Sequence, residues 1–406
     1  MARNMHLQYA YGKFAPVAIV LLVTILLTSL SAIAGVPLFD NLKIHYKALA
    51  QQQLNNGGQG SDNITTVVSF NASEGQLPEG VAIMDDSIFV SFAPRVQVAR
   101  LNENLTSSNT TTIRNQNNTT FTEIGSWPAI PQNGGFMLGL AFDRQENLYA
   151  AIASQTPEVK SGVYRIGPEG GNATLFATHP MMQIPNALVF NERGQLYISD
   201  SGAATIFLAQ PNGTVTEWLS HPLLQGNSTF CSNTPDLQMN IGANGMVLDR
   251  SKASLFVANS DRASIIRVPI GPDDSAGEPE VFVGPDCENL AGADGMVIDE
   301  TANDLIIAVN KLDKIVKVST DNRTISTIAS GDVLDFPASL AIKKGMEDPI
   351  NSLGESTQGD LGSNATERDR TLYITNFAFL SAQQNLEEPN PALLSMQLVN
   401  ASDVGR

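Results

Sequence analysis

A repeated segment of about twenty residues constrains the fold of this chain more than any other feature. It reads GANGMVLDRSKASLFVANS at residues 242–260 and recurs as GADGMVIDETANDLIIAVN at residues 292–310. Each copy has two apolar runs joined by a short polar turn, which is the pattern of a β-hairpin. Weaker copies begin at Leu77, Phe136, Ile184 and Phe336, so the chain contains six copies. Hairpin repeats about 44 to 59 residues apart are typical of a β-propeller.

We therefore predict an all-β fold, a six-bladed β-propeller over residues 64–400. An additional strand at residues 64–70 precedes the first repeat. We expect it to close the ring as the outer strand of blade 6, with residues 393–398 as the penultimate strand of that blade. Two polar insertions, residues 102–120 in blade 1 and 345–369 in blade 6, are predicted to be exposed loops.

One position at the start of each copy defines a candidate metal site. In chain order it holds Glu79, Leu138, Asn186, Asn244, Asp294 and Ala338. Because the first strand of every blade lines the central channel, these six residues should form a ring around the axis. Two carboxylates and two amide oxygens in that ring suit a hard cation, with Ca²⁺ ahead of Mg²⁺ and other divalent cations. In the alternative interpretation each is only a turn residue, since Asn-Gly and Asp-Gly are common turn dipeptides.

The charge of the chain limits the classes of partner. The formal net charge is −17, from 41 acidic and 24 basic residues, and no basic cluster is evident. This balance argues against nucleic acids and anionic membrane surfaces as partners. We expect a monomer that acts on a small molecule and contacts a membrane only through its N-terminus, if at all.

The N-terminal segment predicts export. Residues 14–34 are apolar, follow Arg3 and Lys13, and contain no charge. Residues 1–35 are therefore either a signal peptide, cleaved after the Ala32-Ile33-Ala34 sequence, or a signal anchor. Residues 36–63 form a predicted linker in which a short helix could occur over residues 36–50.

Glycosylation sequons agree with an exported protein. They occur at Asn63, Asn71, Asn104, Asn109, Asn117, Asn118, Asn172, Asn212, Asn227, Asn322, Asn364 and Asn400, mainly in predicted loops and outer strands. We expect an N-glycosylated protein that is secreted or held on the extracellular face of the membrane.

The two cysteines, Cys231 and Cys287, precede the inner strands of neighbouring blades. A disulfide between them would fit an oxidising compartment. The alternative is two separate buried thiols that behave as small apolar residues.

Other catalytic signatures are absent from the sequence. It contains no HExxH, CxxC, GxSxG or Walker motif. His179 and His221 lie in loops just before the inner strands of blades 3 and 4, where either could reach the channel. The alternative is that both are ordinary surface loop histidines.

The motifs LPEG, IPNA, GANGM and GADGM, which carry Glu79, Asn186, Asn244 and Asp294, resemble a known family. This is the senescence-marker-protein/gluconolactonase group, with its relatives diisopropyl fluorophosphatase and paraoxonase. The resemblance implies one Ca²⁺ in the channel, held by these four residues, and hydrolysis of lactones or organophosphate esters. It also implies that Asp294 is the catalytic base or nucleophile.

The chain departs from some members of that family. Pro337-Ala338-Ser339 stands where some relatives place a histidine in blade 6, and Gly80 stands where paraoxonase has an acidic residue. These departures favour a generic lactonase over a paraoxonase-like or phosphatase-like enzyme.

Two functional hypotheses follow. The first is an exported Ca²⁺-dependent hydrolase of lactones or related esters, in which the cation polarises the carbonyl and water or Asp294 attacks the carbon. The second is a non-catalytic binding propeller with a structural cation, which the missing histidine and the many sequons favour.

Overall fold

The computed structural model describes residues 63–102, 113–114, 120–131, 134–232, 234, 239–331, 333–344, 370–384 and 388–398. The predicted export segment at 1–35, nearly all of the linker at 36–63, and most of both insertions lie outside the described residues. Within them, no helix has the length and apolar character needed to cross a membrane.

Six antiparallel sheets form the blades of a propeller. Blade 1 contains β2 (Pro78–Met84), β3 (Ser87–Phe92), β4 (Gln97–Asn102), β6 (Thr120–Ile124) and β5 (Ile113–Arg114), in that order from the axis. Blade 2 contains β7 (Gly135–Phe142), β8 (Leu148–Ser154), β9 (Gly162–Gly167) and β10 (Gly170–Ala177). Blade 3 contains β11 (Pro185–Phe190), β12 (Leu196–Asp200), β13 (Thr205–Ala209) and β14 (Val215–Ser220).

The remaining three blades have the same organisation. Blade 4 contains β15 (Ala243–Leu248), β16 (Ser254–Asn259), β17 (Ser264–Pro269) and β18 (Glu280–Val283). Blade 5 contains β19 (Ala293–Asp299), β20 (Asp304–Val309), β21 (Lys314–Ser319) and β22 (Ile325–Ser330). Blade 6 contains β23 (Pro337–Lys344), β24 (Arg370–Asn376), β25 (Ala392–Gln397) and, at its outer edge, β1 (Ile64–Ser69). The all-β, six-bladed architecture predicted from the repeats is confirmed.

Burial follows the position of a strand within its blade. The second strands β3, β12 and β16 are buried at every residue, because neighbouring blades cover both of their faces. The outer strand β14 contains only partly buried and exposed residues. This gradient explains the sequence pattern, in which the second strands are more apolar and the outer strands more polar.

In the described part of the chain, six of the seven hydrophobic core clusters each lie between two neighbouring blades. The cluster between blades 6 and 1 joins Tyr373 and Leu393 of blade 6 to Val81 and Val90 of blade 1. The inner strands also contact one another in an unbroken ring, since β2 touches both β7 and β23. The channel is therefore enclosed by strands that come from the whole length of the propeller.

Two short elements were not anticipated from the sequence. Within the insertion predicted as an exposed loop, β5 pairs with β6 and adds a fifth strand to blade 1. A helix, α1 (Phe379–Gln384), follows β24. Phe379 explains the helix, because its ring stacks on Phe377 and anchors the segment to an aromatic cluster.

A disulfide joins Cys231 and Cys287, whose Cα atoms are 5.5 Å apart. The two residues precede the inner strands of blades 4 and 5, and both pack in the core cluster between these blades. The bond therefore ties together two loops at the end of the channel where the inner strands begin.

Candidate metal centre

A β-bulge in each inner strand presents one side chain to the channel. The pairing of β2 with β3 shifts register between Pro78 and Val81, and the same shift occurs in the other five inner strands. The six residues predicted to form the ring are each the first of the two residues inside this shift. A bulge bends its strand and turns a side chain away from the regular alternation, which is how such positions come to serve binding sites.

The residue after each ring position is small because the next blade lies directly against it. A Cβ added at Gly245 would lie 2.0 Å from the carbonyl oxygen of Asp294, and one at Gly80 would lie 2.5 Å from that of Leu138. The bulge also removes backbone N–H groups from the regular strand pairing. In blade 1, the Ser91 side chain provides a hydrogen-bond partner for one of them. Its hydroxyl accepts a hydrogen bond from Gly80 N–H and donates one to the Leu138 carbonyl. Close packing and these bonds hold the ring residues in a defined geometry.

In the structure, Asp294 lies close to two of the other three predicted ligands, Glu79 and Asn244. Glu79, Asn244 and Asp294 are all buried, with 3%, 3% and 5% of their surface exposed. Asp294 lies near enough to Glu79 to raise its pKa, and the Asn244 amide lies near enough to Asp294 to oppose the rise in the pKa of that carboxyl group. The fourth residue, Asn186, is also buried and occupies the same ring position in blade 3, whose inner strand contacts that of blade 4.

Burial makes the charged forms of both carboxyl groups unfavourable. The pKa of Glu79 lies well above its usual value, chiefly because of desolvation and secondly because of the nearby charge of Asp294. Desolvation raises the pKa of Asp294 to about 7, although hydrogen bonds from Asn310, Asn244 and Gly295 oppose the rise. Two buried carboxyl groups with raised pKa values at the end of a channel are characteristic of functional sites.

Three residues at the ends of second strands orient the ring side chains. Asn186 donates to the Ser201 hydroxyl over 3.3 Å, and Asn244 donates to the Ser260 hydroxyl over 2.9 Å. Asn310 donates to Oδ2 of Asp294 over 2.9 Å. Because each amide uses its NH₂ group in these bonds, its oxygen remains available to a ligand.

Ser201, Ser260 and Asn310 were not predicted from the sequence. The signal was present, since Ser260 and Asn310 are the final residues of the two clearest copies of the repeat. The hydroxyls of Ser201 and Ser260 also donate to the backbone carbonyls of Ala243 and Ala293 in the next blade. These residues therefore couple the position of each amide to the neighbouring blade.

Two buried oxygens of the ring have no hydrogen-bond partner, and this bears on whether the ring can bind a cation. Oε2 of Glu79 and Oδ1 of Asn244 are both buried and have no hydrogen-bond partner. Buried polar atoms almost always have a partner, and a metal ion is one that satisfies carboxylate and carbonyl oxygens together. The donor set therefore fits a hard divalent cation. No cluster of three or more His, Cys, Asp or Glu side chains occurs among the described residues, so the neutral amides are needed to complete such a site.

Loops around the ring are anchored by buried acidic side chains. The carboxylate of Asp200 accepts hydrogen bonds from the N–H groups of Gln183 and Ile184, which lead directly into β11. Asp261 accepts from Ile241 N–H before β15 and pairs with Lys311 of blade 5 over 3.1 Å. These contacts fix the segments that carry Asn186 and Asn244, and the buried ion pair adds a link between blades 4 and 5.

The mouth of the channel has an apolar side. Leu77, Phe336, Ala338 and Phe377 form a buried cluster, against which Phe136, Phe379 and Leu380 pack with partial exposure. These residues come from blades 6, 1 and 2, where the ring holds Ala338, Glu79 and Leu138. Blades 3, 4 and 5 instead present amide, hydroxyl and carboxyl groups. The mouth is thus polar on one side and aromatic on the other.

The two loop histidines make local contacts. The ring of His179 lies 5.1 Å from that of Phe207, and its Nδ1 accepts a hydrogen bond from Met181 N–H. Nδ1 of His221 accepts from Leu223 N–H and caps the short 3₁₀ turn Pro222–Leu224. Both imidazoles therefore stabilise the loops in which they lie.

Comparison with solved structures supports the fold. A luciferin-regenerating enzyme is similar over 83% of this chain and 96% of its own, with a TM-score of 0.53 and 12% sequence identity. A gluconolactonase from Xanthomonas campestris is similar over 83% and 94% of the two chains, with a TM-score of 0.49 and 14% identity. Virginiamycin B lyase from Staphylococcus aureus covers 68% and 77%, with a TM-score of 0.45 and 13% identity.

No protein-family model matches the chain, and no curated protein matches it by sequence. At 12% identity, the likeness to the luciferin-regenerating enzyme shows that the two chains share a propeller fold. A shared fold does not by itself establish a shared function, which depends on the residues of the site.

Proposed function

We propose that this protein is a Ca²⁺-dependent hydrolase of lactones or related esters, and that Glu79, Asn186, Asn244 and Asp294 hold the cation. The observation that carries the proposal is the pair of buried, unpartnered oxygens, Oε2 of Glu79 and Oδ1 of Asn244, on one ring. An all-oxygen donor set of two carboxylates and two amides favours Ca²⁺ among divalent cations. When bound there, the cation would supply Lewis acidity to polarise a carbonyl oxygen.

Asp294 is the residue best placed to handle a proton or to attack the substrate. Its carboxylate is buried, and the hydrogen bond from Asn310 to Oδ2 fixes the orientation of that carboxylate. A carboxylate held in this way can accept the proton of an attacking water, or it can attack the acyl carbon to form a mixed anhydride while the C–O bond of the ester breaks and its alkoxide leaves, after which water hydrolyses the anhydride. Burial of the surrounding residues excludes bulk water, which strengthens both interactions.

The two sides of the channel mouth suggest how an ester would be oriented. The polar side, from blades 3 to 5, would receive the carbonyl and ring oxygens of the substrate. The partly exposed rings of Phe136 and Phe379, whose centroids are 6.0 Å apart, would contact its apolar part. A lactone with an apolar substituent matches this division better than a fully hydroxylated one.

We also propose that the protein is exported and glycosylated. The disulfide between Cys231 and Cys287 supports an oxidising compartment. The sequon residues Asn71, Asn172 and Asn212 are exposed on the propeller and accessible to modification. A glycosidase-dependent mass shift in protein secreted by a eukaryotic host would test this proposal.

A panel of lactones and aryl esters, assayed with Ca²⁺ and with a chelator, tests the enzymatic proposal. We expect hydrolysis that is lost with chelator and restored by Ca²⁺, because the ring oxygens are arranged around the cation. Calorimetric titration of stripped protein with Ca²⁺ measures binding independently of turnover. Tight binding without hydrolysis of any substrate would contradict the enzyme and leave the second hypothesis.

That second hypothesis, a binding propeller with a structural cation, has one supporting observation. The ring positions of blades 2 and 6 hold Leu138 and Ala338, both buried and apolar, so that part of the ring offers no acid or base. In that case Asp294 would serve only as a ligand.

A further inference from the structure

A second concave site lies at the opposite end of the propeller from the ring. A cavity of about 960 Å³ is lined by the final residues of four inner strands, Met84, Phe142, Phe190 and Leu248, and by the turns that follow them. The ring residues lie at the beginnings of the same strands. In blades 2, 3 and 4 the strand end lies four residues beyond the ring position, which is about 13 Å along the strand, so the cavity and the ring are separate sites.

The charge of this cavity is opposite to that of the whole chain. Its lining includes Arg144, Arg165, Arg193 and Lys252 but only two carboxylates, Asp143 and Glu192. The chain as a whole carries a net charge of −17. A cationic concavity on a strongly acidic protein concentrates small anions locally.

Some of these charges are already engaged. Asp143 accepts hydrogen bonds from the Gln145 and Asn147 N–H groups, the Asn147 amide and the Tyr149 hydroxyl, so both of its oxygens are occupied. Arg193 forms an ion pair with Asp274. The other cations of the lining are Arg144, Arg165 and Lys252; Glu192 is the only other carboxylate of the lining, Arg165 lies beside the Tyr149 hydroxyl, and Lys252 lies near Glu300 outside the cavity.

The floor of the cavity is aromatic. The ring centroid of Tyr149 lies 5.0 Å from those of Phe176 and Phe190, with edge-to-face geometry. Arg165 lies over the Phe176 ring at 5.6 Å, which places a guanidinium beside an apolar surface. Aromatic walls with a few cations are suited to a ligand that has an apolar body and a negative group.

We propose that this end of the channel binds a small organic anion with an aromatic or other apolar body. The aromatic floor formed by Tyr149, Phe176 and Phe190 would contact the body of the ligand. Arg165 at the floor and the exposed Arg144 and Lys252 at the rim would pair with its carboxylate, sulfonate or phosphate group.

Calorimetric titration of the full chain with 1-naphthalenesulfonate at low salt tests this proposal. We expect saturable binding that weakens as NaCl is added, because the exposed cations are screened. The double variant R144Q/K252Q should bind about tenfold more weakly or worse. The charge-retaining variant R144K/K252R should bind like the wild type. The matched control R262Q/K314Q, which removes two cations from the ring end of the propeller, should have no effect.

Several outcomes would overturn the proposal. The first is that the wild type shows no saturable binding at millimolar probe. The second is that R144Q/K252Q binds the probe with the same affinity as the wild type. The third is that the neutral 1-naphthalenemethanol binds as tightly as the sulfonate. Loss of binding in Glu79→Gln but not in R144Q/K252Q would place the probe at the ring instead. Because the expected binding needs neither Ca²⁺ nor turnover, its failure is independent of the proposed hydrolase activity.

Discussion

Asp294 combines two roles in the proposed site, ligand and proton acceptor, and substitution can separate them. Asp294→Asn keeps an oxygen for the cation but removes the charge and the basic group. We expect turnover to fall by roughly 100-fold or more while Ca²⁺ binding weakens modestly. Steady-state kinetics at saturating Ca²⁺, together with calorimetric Ca²⁺ titration, would measure both effects.

Asn186→Ala is the matched control for that substitution. It deletes a neutral ligand and leaves Asp294 intact, so we expect weaker Ca²⁺ affinity and partial recovery of activity at high Ca²⁺. Equal loss of turnover in both variants, with no recovery at high Ca²⁺, would show that Asp294 has no special role.

The carboxyl groups of the ring make the stability of the metal-free protein depend on pH. The pKa of Asp294 is raised from 3.8 to about 7 in the folded state, so between these values the folded state binds more protons than the unfolded state. The free energy of unfolding should therefore fall as pH rises from about 4 to about 7, by at most about 1.4 kcal/mol per pH unit for this group, and level off above. Glu79 acts in the same direction, since its pKa is also raised.

Urea unfolding of chelator-treated protein at several pH values measures this dependence. Other groups titrate in the same range, so the difference between the wild type and Asp294→Asn isolates the contribution of Asp294. A wild-type stability that rises relative to the variant between pH 5 and pH 7 would contradict the expected sign.

At the scale of the strand, a bulge followed by a small residue positions each ring side chain. Gly245→Ala would place a Cβ 2.0 Å from the carbonyl oxygen and 2.8 Å from the carbonyl carbon of Asp294, both backbone atoms. Strands β15 and β19 would have to separate, which should cost about 1–3 kcal/mol of stability and weaken Ca²⁺ binding. Chemical denaturation and Ca²⁺ titration would measure the two effects.

Gly167→Ala provides the comparison for that variant. Gly167 ends β9, and a Cβ there would meet only the Asn147 side-chain oxygen at 3.8 Å. The Gly167→Ala variant should therefore be as stable as the wild type. If Gly245→Ala were equally well tolerated, the close approach of the inner strands would not be a constraint on the ring.

At the scale of the whole molecule, the cation should stabilise the closed ring of blades. The four proposed ligands come from blades 1, 3, 4 and 5, so the site exists only when the ring of blades is closed. A ligand that binds only the folded state stabilises it by mass action, by about 2.7 kcal/mol at one hundred times its Kd. We therefore expect Ca²⁺ to raise the melting temperature of stripped protein, as measured by calorimetry. The increase should be smaller in Asn186→Ala, and no shift at millimolar Ca²⁺ would count against the site.

The sequence by itself determined the number of blades and the six ring positions. Both follow from a hairpin pattern whose alternation and small residues are local consequences of strand packing, and so they recur in register along the chain. The same local pattern identified the four oxygen-bearing residues Glu79, Asn186, Asn244 and Asp294.

Only the tertiary structure decided how these positions act on one another. The raised pKa of Asp294, the bonds from the Ser201 and Ser260 hydroxyls to the next blade, and the division of the mouth into polar and aromatic sides all depend on contacts between blades. The cationic cavity at the far end likewise collects turns from three blades and the end of β2 in blade 1. A repeat pattern describes each blade separately, whereas distances between residues far apart in sequence are set when the ring of blades closes.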